Sequence, residues 1–301
     1  MHPSGQVLVG PGWSWVAYLP FLGGRERVLA IGGTPGFSTV AFDWEGRRAV
    51  AVIGGVTDPA QRVLHLWELP SGREQRHSIA HLLDADWSGF SDMAFAPDGS
   101  LYVAGKGGVR RLRIPTEPGG AVSGETVHAA GSARLDLSRD GRLLLVTASH
   151  SREQTAAQEE LVLLDLAGHR SRRITTHGFR LLRARLSPSG RVIVTGGADG
   201  VVRAGPVSGE EPHLLFGHKG PVFGLAISPD ERWIASSSDE SISIWPMPDV
   251  TKPPLHTLSH AELLAKLDAL TNLRVVRDPT SSTGWKLDVG PFPGWKEVPA
   301  W

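Results

Sequence analysis

The sequence predicts an all-β protein, a β-propeller of six recognisable blades, with a seventh blade or ring closure supplied by the C-terminal tail. Three observations carry this. Turn-forming triplets recur at a regular spacing, apolar alternation of period two flanks them, and Gly and Pro (36 and 22 of 301 residues) are spread along the whole chain. Dispersed turn formers between short apolar runs mean many short strands and few long helices.

The triplets are Pro3–Gly5, Trp44–Gly46, Pro97–Gly99, Arg139–Gly141, Pro188–Gly190 and Pro229–Glu231, and their last residues lie 41, 53, 42, 49 and 41 apart. Pro presets φ, Asp or Ser bonds the local backbone, and Gly accepts positive φ, so each triplet joins two antiparallel strands. Before the turns stand FSTVAF, FSDMAF, ARLDLS, LLRARLS and VFGLAIS; after them come RRAVAVIGG, LYVAGKGG, LLLVTASH, RVIVTGG and RWIASSS. A third run follows in most units, as in VLHLWEL, LVLLDL and SISIWPM, and a fourth, weaker one in several. A repeat of roughly 40–45 residues with four strands is the pattern of propeller blades, each of which needs a neighbour on both sides. Blades are expected over residues 1–258. The first is incomplete, because His2-Pro3-Ser4-Gly5 reads as the turn of a unit whose inner strand is missing. That places the chain as the C-terminal part of a longer protein, or calls for a closing strand from elsewhere.

One unit, Phe216–Met247, carries Gly217-His218 before the inner strand, Asp239 in the turn after the second strand, and Trp245 ending the third. It resembles the WD-repeat family. The resemblance implies that His218, Asp239 and Trp245 join a Ser of the second strand, one of Ser236–Ser238, in a buried hydrogen-bonded tetrad. Pro246 replaces the Asp that follows Trp in the family. Spacing extends the register. His218, His177 and His128 each lie 11 residues before the first residue of a turn, while Trp recurs in the third strand only as Trp67. The tetrad is therefore expected complete in one blade and degenerate elsewhere, with these histidines in structural roles.

Composition narrows the function. Formal net charge is zero, which gives no electrostatic reason for nucleic acid binding. The clusters Arg110, Arg111, Arg113 and Arg170, Arg172, Arg173 read as solvated turn faces. The chain has no Cys, which excludes disulfides, zinc-thiolate sites and thiol nucleophiles and fits a cytoplasmic protein. No apolar run approaches the ~20 residues of a membrane span, and the N-terminus shows no signal-peptide pattern. Neither a metal nor a cofactor is expected. The inner strands offer only Asp92 and Asp136 as carboxylates, too few for a hard-cation cage.

Residues 259–301 depart from the repeat. Ser259 with Glu262 forms a capping box before Leu263, Leu264, Leu267 and Leu270, predicting a helix over Ser259–Leu270. Asn272–Asp278 and Gly284–Gly290 read as a hairpin. The Pro- and Trp-rich end, with Phe292, Trp295 and Trp301, is expected to pack on the propeller. This tail is similar to those of some bacterial WD-repeat proteins, including ones with an N-terminal serine/threonine kinase domain, although no kinase motif occurs here.

The reading of function is a non-catalytic protein-interaction scaffold in a bacterial signalling or assembly context. The alternatives are a propeller hydrolase or lyase with a central-channel site, and a small-molecule sensing domain fused to a missing effector. A protein or peptide partner is expected on the face with the long loops. These are Gly54–Arg62, His81–Phe90 and Ser149–Glu160, which carry Asp58, Asp84, Asp86, Trp87, Arg152 and Glu153. Trp87 is the best anchor, since Trp is enriched at interface hot spots.

Overall fold

The computed structural model describes residues 7–11, 15–20, 27–31, 37–53, 62–69, 71–82, 90–105, 107–115, 120–129, 134–148, 160–178, 180–270 and 273–289. Their strands form seven antiparallel sheets, the first six following one another in chain order. Sheet 1 holds β1 (Val7–Pro11), β2 (Trp15–Pro20) and β3 (Arg27–Ile31). Sheet 2 holds β4 (Phe37–Phe42), β5 (Arg48–Ile53), β6 (Val63–Glu68) and β7 (Arg73–Ser78). Sheet 3 holds β8 (Phe90–Phe95), β9 (Leu101–Gly105), β10 (Gly108–Arg113) and β11 (Ser123–His128). Sheet 4 holds β12 (Arg134–Leu137), β13 (Leu143–Ala148), β14 (Glu160–Asp165) and β15 (Arg170–Ile174). Sheet 5 holds β16 (Leu181–Leu186), β17 (Val192–Gly197), β18 (Val202–Pro206) and β19 (His213–Leu215). Sheet 6 holds β20 (Gly224–Ile227), β21 (Trp233–Ser237) and β22 (Ile242–Pro246).

Strands within each sheet follow one another as neighbours, and β4, β8, β12, β16 and β20 pack side by side as the inner strands of successive sheets. These are the blades of a β-propeller. Helix α1 (His260–Leu270) follows, and then β23 (Leu273–Arg277) and β24 (Trp285–Val289), which form a two-stranded sheet of their own. The capping box that predicts the helix is formed. Ser259 N–H donates to Glu262 Oε2 at 2.9 Å, and the Ser259 hydroxyl donates to the same oxygen at 2.6 Å.

The core lies between sheets. Val50, Val52, Leu64 and Leu66 of sheet 2 meet Met93, Phe95, Leu101 and Val103 of sheet 3. Tyr102, Ala104 and Val109 meet Leu135, Leu144, Val146 and Val162. Leu145, Leu161 and Leu163 meet Ala184, Leu186 and Ile193. Val192, Val194 and Val202 meet Val222, Leu225 and Ile234. Strand β13 shows why the second strand of a unit reads as an unbroken apolar run: Leu144 and Val146 face sheet 3 while Leu145 faces sheet 5. Sheet 6 is covered on one side only, leaving Trp233, Ile242 and Ile244 exposed on the other.

The five turn triplets among the described residues share one geometry. The residue before each triplet donates its N–H to a carbonyl beyond the turn, and the third residue of the triplet donates back to it, as in Ser138 N–H to Leu143 O and Gly141 N–H to Ser138 O, both 2.9 Å. Asp43, Ser138, Ser187 and Ser228 also accept a backbone N–H through the side chain. Positive φ is required at the last position: Gly46, Gly99, Gly141 and Gly190 have φ of 68°, 82°, 70° and 69°, and Glu231 is held at 58°. Successive described turns also seat on one another. A Cβ at Gly141 would lie 2.7 Å from Pro97 Cδ, and Glu231 accepts the Ser189 hydroxyl at 2.9 Å.

The arginine clusters differ from the sequence expectation, because they lie on β10 and β15 and not in turns. Arg111 is half-buried, ion-paired with Asp98 and 6.0 Å from the Tyr102 ring centroid. Arg172 donates to the Val207 and Ser208 carbonyls of the next sheet. Long arginine stems cover apolar surface while their heads find partners, which is why these runs suit strands.

Leu145→Ala is expected to cost about 2–5 kcal/mol by opening a cavity between sheets 4 and 5. Thr126→Ser at an exposed position of the outer strand β11 is expected to change stability by less than about 0.5 kcal/mol. Urea denaturation of both variants checks the pair.

Candidate functional site

Two constellations of polar side chains arise from the repeat. The first sits where the second and third strands of a blade meet the segment leading into its inner strand. In sheet 6, pairing of Ile234 with Trp245 brings the indole beside Ser236. Trp245 Nε1 donates to Ser236 Oγ at 2.8 Å, and Ser236 Oγ lies 2.6 Å from His218 Nε2. Trp245 and His218 are half-buried with ring centroids 6.1 Å apart, edge to face. A Cβ on Gly217 would lie 2.7 Å from the Trp245 ring, so the Gly-His pair is a packing requirement. The second strand's serine, left open by the sequence, is Ser236.

The fourth partner differs from the expected one. His218 Nδ1 meets Ser241 Oγ at 3.0 Å, and Asp239 is exposed. The turn is closed by Ser238 N–H donating to Ser241 O at 2.9 Å, which brings Ser241 beside the His218 ring. The equivalent Asp199 in sheet 5 also leaves its histidine and pairs with Arg203 at 2.6 Å.

In the sheet 5 unit, His177 is fully buried and its Nδ1 lies 3.0 Å from Thr195 Oγ1. Gly205 occupies the Trp position, and Pro212 with the imidazole fills the space; a Cβ there would lie 3.0 Å from both. Burial pushes His177 down to about 3, with Arg203 adding to the shift, so it is neutral across the physiological range. In the His128 unit, Val146 and Leu164 stand at the Ser and Trp positions, and His128 is half-buried at the end of β11. Trp67 is fully buried and stacks on His65 at 5.8 Å.

The second constellation lies along the inner strands. Positions five and three residues before the first residue of each described turn alternate with residues such as Met93, Leu135, Ala184 and Leu225, which pack against the preceding sheet. They give one level of Thr39, Asp92, Arg134, Arg183 and Gly224, and a second, nearer the turns, of Ala41, Ala94, Asp136, Arg185 and Ala226. Both carboxylates stitch neighbouring blades. Leu135 N–H donates to Asp92 Oδ2 at 3.0 Å and Leu186 N–H to Asp136 Oδ2 at 2.6 Å, while Arg134 donates back to Ser91 O at 3.1 Å. Burial raises Asp92 and pushes Asp136 up to about 6, against the lowering pull of Arg185 and the Leu186 N–H on the latter. Among the described residues no group of three or more His, Asp or Glu could hold a metal ion, and no helix is long and apolar enough to cross a membrane.

Asp58, Asp84, Asp86, Trp87, Arg152 and Glu153 lie outside the described residues. The inner-strand arginines and the blade-stitching role of the two carboxylates escape sequence reading. The signal that finds them is the position counted back from each turn.

The family model for the WD domain, G-beta repeat, matches residues 164–204 and 209–246. Among solved structures the chain is similar to Kuenenia stuttgartiensis hydrazine synthase, with a TM-score of 0.64 and 14% identity, over 90% of this chain and 81% of that one. At that identity the likeness shows the fold alone. The two matched segments are WD repeats, and they lie within a β-propeller fold.

Trp245→Ala is expected to destabilise by about 3–5 kcal/mol and His218→Ala by about 1–3 kcal/mol, measured by thermal and urea unfolding. For His177 the folded value lies below the unfolded 6.5, so its contribution is complete above pH 6.5 and is lost as pH falls toward 3. Relative to the parent, His177→Gln is expected to flatten the acid limb of the stability curve by up to ~1.4 kcal/mol per pH unit. Unfolding free energies at a series of pH values check this.

Proposed function

We propose that this chain is a non-catalytic protein-interaction scaffold, working in the cytoplasm in a bacterial signalling or assembly context. The observation that carries the reading is an asymmetry of connections on WD-repeat blades. At one end of the sheets each of the five described inner-strand turns spans five residues. At the opposite end β5 and β6 are joined by nine residues and β13 and β14 by eleven. Loops lengthen at modest entropic cost, and binding residues collect on loops held by a rigid scaffold.

The partner is a protein or peptide on the long-loop face, with Trp87 as anchor and Asp84, Asp86, Asp58, Arg152 and Glu153 around it. The inner-strand carboxylates support a non-catalytic reading, because each already accepts a backbone N–H from the next blade. A channel nucleophile or base would have to give up that bond. Residues 259–301 are proposed to pack on the propeller, and the open apolar face of sheet 6, with Trp233, Ile242 and Ile244, is the surface that suits them.

Affinity capture with the parent chain, followed by mass spectrometry, identifies the partner, and the variant Asp84→Ala/Trp87→Ala/Arg152→Ala tests its site. The expected result is at least a tenfold loss of binding with unchanged melting. Full binding by the triple variant, with loss on substituting Trp44 or Pro229 of the turn face, would contradict the reading. Deletion of 272–301 is expected to promote self-association in size-exclusion chromatography. A monomer with unchanged melting would contradict the packing role.

A further inference from the structure

The turn-side mouth of the axial channel is a cavity of 420 Å³, walled by residues of sheets 2, 4, 5 and 6 that include Trp44, Arg139, Arg185, Pro188, Ile227 and Pro229. Its origin is in the sequence: the small Ala226 stands beside Asp136 and Arg185 in the lining and leaves the space open. The two charged groups sit on neighbouring inner strands beside the apolar Leu137, Leu186, Ile227 and Pro229.

The charge balance of the cavity is positive. Asp136 Oδ2 is occupied by the Leu186 N–H, and its Oδ1 is 3.9 Å from Arg185 Nη1. Arg185 Nη1 also donates to the Ala184 carbonyl at 3.2 Å, and Nε and Nη2 have no hydrogen-bond partner among the described residues. Arg139 at the rim is exposed and makes no ion pair among them. Behind this level, Arg134 and Arg183 face a single carboxylate, Asp92.

We infer that this mouth binds a small organic acid, its carboxylate on Arg185 and Arg139 and its apolar part against Pro188, Ile227 and Pro229. A planar guanidinium edge with two free donors matches a carboxylate. The volume lies toward the lower end of the roughly 300–1,000 Å³ typical of small-ligand sites. The neighbouring Asp136 and the apolar wall disfavour a phosphate dianion. The site is on the face opposite the long loops and is independent of the partner proposed there.

Asp136 makes the site pH-dependent. It is faced by Arg185 from β16 and Asp92 from β8. Its protonation removes the negative charge closest to an incoming carboxylate, so affinity rises as pH falls through about 6.

Isothermal titration of the full chain with phenylacetate, benzyl alcohol and inorganic phosphate at pH 7.5 and 5.5 tests the proposal, since phenylacetate stays ionised over that range. Phenylacetate is expected to bind at least about tenfold more tightly than the neutral alcohol or phosphate. Its affinity is expected to rise roughly three- to tenfold at the lower pH. Arg185→Gln is expected to lose about tenfold and Arg139→Gln about threefold, while Asp136→Asn binds more tightly at pH 7.5 and loses the pH dependence. If Arg185→Gln fails to fold, as melting would show, the exposed Arg139→Gln and Asp136→Asn decide. No heat with phenylacetate up to about 20 mM, equal binding of the alcohol, or binding unchanged in the folded variants would overturn it.

Discussion

A four-stranded blade has two apolar faces and can bury neither alone, and every other feature of this protein follows from that constraint. Each second strand must be apolar on both sides, as Leu144, Leu145 and Val146 show by dividing between two layers. The turns must be short and must nest, because the blades they join lie in contact; Gly141 against Pro97 and Glu231 against Ser189 are the visible consequences. The inner strands leave a row of backbone groups facing the axis, and Asp92 and Asp136 satisfy two of these while linking one blade to the next.

Magnitudes explain why the His–Ser–Trp arrangement has decayed without loss of the fold. The layer between sheets 2 and 3 contains twelve buried apolar residues among those described, and each large one contributes about 1.5–3 kcal/mol on burial. A hydrogen bond adds about 1 kcal/mol net. A blade can therefore replace Trp by Gly205, with Pro212 packed into the gap, or Ser by Val146, provided the layer stays filled. His177 illustrates the intermediate stage, with one hydrogen bond kept and Nε2 buried without a partner.

Most of the architecture is legible in the sequence because it rests on local chemistry: turn triplets, period-two alternation and the Ser259–Glu262 capping box each depend on residues close along the chain. The Gly217–His218 and Trp245 elements are legible through the same spacing. What escapes is whatever depends on which of several neighbouring groups lies inside a turn. Ser241, not Asp239, meets the His218 imidazole, although both belong to one tight turn. The arginine runs of β10 and β15 mislead for a related reason, since charge density alone does not reveal the carbonyls and aromatic rings of the next strand. The level of Asp136, Arg185 and Ala226 is present in the sequence at a fixed offset from the turns, but it becomes a cavity only once the blades stand side by side.

The account makes the inter-blade layers, and not the individual sheets, the unit of stability. Native-state hydrogen exchange resolved by mass spectrometry tests this most directly, by comparing the second strands β5, β9, β13 and β17. Each of these is buried on both faces by neighbouring blades. The account predicts that their amides share one high opening free energy and respond together to added urea. Protection lost from one of these strands at low urea while the others keep theirs would show that blades stand alone, and would contradict it.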